Sequence, residues 1–171
     1  MGVPVGDKIR AAQGLLRKWG ALWRADGRIR ALTEDLRVAV QASRQAMEEA
    51  GIFALCRQCE EAEGGSCCGA GIEDRYDPVL LAVNLFLGSS LPEEPAVSGG
   101  CFFLGEHGCR LTARHVLCVN YLCLKIQERL APRAVIHVQE VAGREMEALF
   151  LLEDELKRRL RCGRVGKAYD P

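Results

Sequence analysis

The chain carries no excess charge of either sign, since 23 Lys and Arg stand against 23 Asp and Glu in 171 residues. Bulk electrostatics therefore selects no polyanion, and no nucleic-acid partner is expected. Long apolar runs are missing as well. The longest, Val79–Leu87, is interrupted by Asn84 and falls far below the roughly 20 residues a membrane span requires. The opening Met1-Gly2-Val3-Pro4-Val5-Gly6-Asp7 lacks an apolar leader core, and Gly6 stands where an acylation signal wants Ser or Thr. A cytoplasmic protein without a membrane partner is expected. No Walker loop, Ser-His-Asp arrangement or Gly-rich loop after a strand is found, so hydrolytic and nucleotide-cofactor chemistries have no motif to stand on. An enzyme is thus less expected than a binding protein.

Cysteine is what the chain has in excess. Eight of nine fall between Cys56 and Cys123 in two sets, Cys56, Cys59, Cys67 and Cys68, then Cys101, Cys109, Cys118 and Cys123. Disulfide stapling is disfavoured in a reducing cytosol and by the odd total. Thiolates are soft ligands suited to zinc, copper(I) or iron–sulfur clusters, and Cys-x2-Cys presents two sulfurs from one short turn. All eight are candidate metal ligands. Cys162, alone before Gly163, reads as a small buried hydrophobe. His107, in a turn, and His115 are weaker ligand candidates, and His137 lies outside the cluster.

Around the cysteines the pattern is helical. Ile9, Ala12, Leu16, Trp19 and Trp23 share a face, with Asp7 placed to cap the start. After Ala25-Asp26-Gly27, a second helix runs through Ile29, Leu32, Leu36, Val40 and Met47 to a terminating Gly51. So short a connection predicts an antiparallel pair. Their bases, from Lys8 to Arg44, are interspersed with acids and read as a solvated face. The same reading covers Glu60, Glu61, Glu63, Glu73, Asp74 and Asp77, since softer thiolates are already plentiful.

A turn of helix at Ile52-Phe53-Ala54-Leu55-Cys56 would put Cys56 and Cys59 on one face. Adjacent Cys67 and Cys68 should diverge. Asp77 as N-cap and Pro78 at the first position introduce a short buried helix closed by Gly88. Cys101 to Leu111 reads as a hairpin with glycines at its turn, bringing Cys101 and Cys109 near its ends or across from one another. From Thr112, a helix through Val116, Val119, Leu122, Ile126 and Leu130 is predicted to stop before Pro132. On it, Cys118 and Cys123 would lie about 140° apart and could not aim at one point. A last helix spans Val135 to Leu160, its basic end matching the helix dipole, and the tail from Gly163 is expected to fray.

The expected fold is mainly α, a helical domain with a small β-hairpin and a cysteine-rich metal-binding centre. Three segments are expected to pack as one compact domain: an N-terminal helical hairpin (1–51), a cysteine core (52–131) and a C-terminal helix with tail (132–171).

Cys56-x2-Cys59, the doublet Cys67-Cys68, Cys101-Phe102-Phe103-Leu104, Gly108-Cys109-Arg110-Leu111 and Arg114-His115-Val116-Leu117-Cys118 together resemble the cysteine-cluster (CxxCxxCC) family of small bacterial cytoplasmic proteins, described as zinc- or iron-chelating. The resemblance covers residues 56 to 123. Seven residues separate Cys59 from the doublet where the family name has two, and His115 stands where the family has proline after arginine. It implies metal chelation, and because flagellin lysine methylases carry a related cluster, it also admits an enzymatic version.

The expected function is a metal-binding protein holding zinc or an iron–sulfur cluster, including [4Fe–4S], through cysteine thiolates. Two alternatives stand beside it. One is a redox or cluster-bearing protein-modifying enzyme. The other is a metal-stabilised interaction module whose Trp19, Trp23 and leucine faces meet a protein partner or a second copy. Two centres, or one with spare thiols, fit the spacing better than a single four-sulfur cage.

Overall fold

A computed structural model describes residues 2–63 and 67–165, side chains excepted at 60–63 and 164–165. The acidic side chains of Glu60, Glu61 and Glu63 and the tail beyond Val165 lie outside the described residues. The chain forms α1 (Val5–Ala25), α2 (Gly27–Glu49), α3 (Ile52–Glu63), a 3₁₀ turn at Ile72–Arg75, and α4 (Pro78–Phe86). There follow β1 (Leu104–Gly105), β2 (Gly108–Cys109), α5 (Val116–Asn120), α6 (Leu124–Arg129) and α7 (Pro132–Val165). The fold is mainly α with a small two-stranded antiparallel sheet. Among the described residues, no helix is long and apolar enough to cross a membrane.

Asp26 separates α1 from α2 and caps α2, its Oδ1 accepting from the N–H groups of Arg28 and Ile29 at 2.9 and 3.1 Å. That satisfies two of the orphan donors every helix start carries. The two helices then find their main partners elsewhere, α1 on α4 and α2 on α7. The expected antiparallel pair is thus less intimate than one short turn suggests. The reason is α4, whose nearly continuous apolar surface buries Leu80, Leu81, Ala82 and Val83 and draws α1 onto it. Trp23 is buried against this core, and Trp19 lies over Gly163 of α7 so closely that a side-chain carbon there would overlap its ring.

α4 starts as its punctuation predicts. Asp77 Oδ1 accepts from the Leu80 N–H at 2.8 Å, Pro78 opens the helix, and Gly88 follows the end at φ 96°. The interior divides into two clusters. One gathers α1, the first part of α2, α4, Phe103, Leu111 and the later part of α7. The other gathers the end of α2, Ile52, α5, α6 and the first part of α7.

Two boundaries differ from expectation. The helix predicted from Thr112 to Leu130 is two short helices, broken where Tyr121 and Cys123 take extended conformations. Val119 of α5, Leu122 at the break and Ile126 of α6 all pack in the second cluster. α6 stops at Arg129, before Pro132 as expected, but the last helix, expected from Val135, already begins at Pro132, where the missing N–H costs nothing.

Candidate metal centre

The hairpin is offset from the cysteines it was expected to pair. Cys109 lies opposite Leu104, and Gly105 opposite Gly108, leaving Cys101 beyond the strand end. Cys101 is held by a different partner. Gly69 and Gly100 form an isolated antiparallel bridge, with the Ala70 N–H donating to the Gly99 carbonyl at 3.2 Å and the Cys101 N–H to the Cys68 carbonyl at 2.7 Å. Two cysteines 33 positions apart in sequence thereby become cross-strand neighbours.

Cys67, Cys68, Cys101, Cys109 and Cys118 line one cavity of about 380 Å³. Ile72, Leu104, Leu117 and Tyr121 supply apolar wall, and Tyr76 and Arg114 supply polar groups. Leu117 and Tyr121 are exposed at 49% and 59%, so the cavity has an apolar rim facing solvent. Cys67, Cys101, Cys109 and Cys118 carry free thiols.

The remaining candidates are placed elsewhere. Cys56 and Cys123 pack against the second cluster, and Cys59 accepts a contact from Lys125 Nζ at 3.9 Å. The sulfurs thus divide five and three, across the order in which the sequence presents them. Cys162 is exposed on α7, not buried as expected, because it lies on the side of the helix away from Leu152 and Leu156. Among the described residues, no three His, Cys, Asp or Glu side chains converge tightly enough to hold one metal ion as they stand. The five thiols surround a space.

The thiols differ in acidity. A hydrogen bond between Cys67 and Cys68 raises the first thiol and lowers the second, so Cys68 is the more readily ionised of the doublet. Burial pushes Cys101 up to about 11 and also raises Cys118. The thiols oppose one another's ionisation, since Cys101, Cys109 and Cys118 all disfavour charge on Cys68.

Two lining residues were given no role by sequence reasoning. Tyr76, 2% exposed, accepts from the His115 N–H at 3.0 Å and donates its hydroxyl to Cys118 Sγ at 3.8 Å. Burial raises its phenol, which stays protonated as a donor. Arg114 forms part of the wall itself. Nothing in helical periodicity marks Tyr76; Arg114 stood inside a motif but carried no assigned function.

No family profile, curated protein or solved structure matches this chain.

Proposed function

We propose that the protein binds a metal centre through the thiolates of Cys67, Cys68, Cys101, Cys109 and Cys118, four or more of them serving as ligands. The observation that carries the reading is one cavity lined by five cysteines drawn from three separate stretches of chain. Cysteines gathered in this way repel one another once ionised, and a bound cation offsets that repulsion. A single tetrahedral ion with thiolate bonds of about 2.3 Å draws its sulfurs into mutual contact. Among the described residues the cysteines line a space of about 380 Å³ without such convergence, and one zinc ion and an iron–sulfur cluster both stand as occupants. A cluster supplies one-electron redox chemistry when bound. The chain's own part is to supply thiolates, to wall them with apolar side chains, and to direct the Tyr76 hydroxyl at Cys118. Hydrogen bonds to ligand sulfur tune such centres.

Anaerobic purification followed by metal and acid-labile sulfide analysis tests this. Iron with matching sulfide and broad visible absorption would select a cluster. Zinc without sulfide would keep thiolate binding and remove the cluster. Reduced, folded protein that takes up neither would sink the reading.

A further inference from the structure

Arg114 is the one charged side chain among the described residues lining the cavity, and its charge reaches the thiols of Cys109 and Cys118. Its other face meets a carboxylate in the interior. Arg114 Nη2 stands 3.9 Å from Glu145 Oε2 and 3.7 Å from Met47 Sδ, with the two ionic side chains 12% and 1% exposed. The Glu145 oxygens make no hydrogen bond of ordinary geometry among the described residues, although the Ser43 hydroxyl faces the carboxylate and favours its charge against the effect of burial, and Arg114 Nε is likewise without one. Arg44, the other cation near Glu145, is engaged by the carbonyls of Leu111 and Thr112 at 2.9 and 3.5 Å.

As a device for stability this arrangement is poor. A buried ion pair without good hydrogen bonds is commonly no better than an apolar pair of the same volume, because desolvation exceeds the attraction. The pair makes sense when the groups in front of Arg114 are counted. Metal binding requires deprotonated thiols, and each thiolate placed in the cavity raises the electrostatic cost of the next. A cation built into the wall lowers that cost, and a buried carboxylate behind it holds the guanidinium in place.

We infer that Arg114 is the charge-compensating residue of the thiolate centre and Glu145 the positioning residue that anchors it. The inference rests on the metal-binding reading above.

Cobalt(II), whose thiolate complexes absorb in the visible, serves as probe. Full-length reduced protein is titrated anaerobically against a competing chelator, and thermal unfolding is followed in parallel. Arg114→Met is expected to weaken cobalt binding about 10–100-fold, the range typical of residues that support metal ligands from behind. Arg114→Lys should restore part of it. The double variant Arg114→Met/Glu145→Gln removes the stranded carboxylate, so it should regain the thermal stability lost by the single variant while its affinity stays low. Should Arg114→Met fail to fold, the lysine and double variants carry the comparison. Affinity that returns together with stability in the double variant, or an Arg114→Met protein that binds as wild type does, would overturn the assignment alone. Wild type that takes up no cobalt would overturn this assignment, and wild type that on anaerobic reconstitution takes up no iron and sulfide either would overturn the thiolate reading with it.

Discussion

The side-chain amide of Asn84 pairs with the backbone of Ala113 as a neighbouring strand would. Its Nδ2 donates to the Ala113 carbonyl at 2.8 Å, and its Oδ1 accepts from the Ala113 N–H at 2.9 Å. Nδ2 also reaches the Leu80 carbonyl at 3.0 Å. Asn84 is fully buried, and so is Ala113. This contact joins the apolar α4 to the segment that carries Arg114, His115 and Cys118, so the one polar residue in the longest apolar run fixes one wall of the cavity.

Replacing Asn84 with Leu keeps the branched shape and strands both backbone groups of Ala113. At about 1–3 kcal/mol for each of the two orphaned buried groups, roughly 2–6 kcal/mol of stability should be lost. Urea denaturation of the reduced protein measures it; a loss under about 1 kcal/mol would show that another partner satisfies Ala113.

Serine scanning separates the two groups of cysteines. Substitutions among Cys67, Cys68, Cys101, Cys109 and Cys118 should lower bound metal, whereas Cys56→Ser, Cys59→Ser, Cys123→Ser and Cys162→Ser should leave metal content near wild type. Metal analysis of each purified variant is the readout. Loss confined to the Cys56 and Cys59 variants would move the centre out of the cavity.

His115 caps α5, its Nδ1 accepting from the Leu117 N–H at 3.2 Å. That role requires a neutral ring nitrogen. Burial, and then the Arg75 charge, depress its pKa below the ordinary 6.5. A histidine depressed in the folded state contributes stability that is fully present above its unfolded pKa and is lost as pH falls through the folded value. Asn at this position caps without titrating. Between about pH 7.5 and about pH 5.5 the wild type should therefore lose more stability than His115→Asn, by denaturation midpoint. Equal losses would remove the imidazole from the account, and an NMR titration of His115 with a midpoint above 6.5 would contradict the sign.

The elements were legible where local chemistry decides them. Asp77-Pro78 and Gly88 bracket α4 as their cap preferences require, and Gly51 takes φ 74° after α2. Breaks imposed by packing were not legible. Val116 to Leu130 keeps a helical period, yet the chain interrupts it at Tyr121 to Cys123 so that α5 and α6 can both lie on the second cluster. Cys118 lines the cavity while Cys123 packs against the second cluster, on different sides as their five-residue spacing predicts.

By itself the sequence determined a mainly helical chain with a small hairpin and an unusual density of thiols, because periodicity, caps and composition are local properties. Which thiols share a site was decided by tertiary structure. The bridge between Gly69 and Gly100 and the Asn84 clamp on Ala113 each join residues far apart in sequence. Cys56 and Cys59 had the most suggestive spacing and lie outside the cavity, while the awkward doublet lies within it. Spacing along a chain limits which sulfurs one turn can present together, but only backbone pairing across the fold brings sulfurs from different stretches to one place.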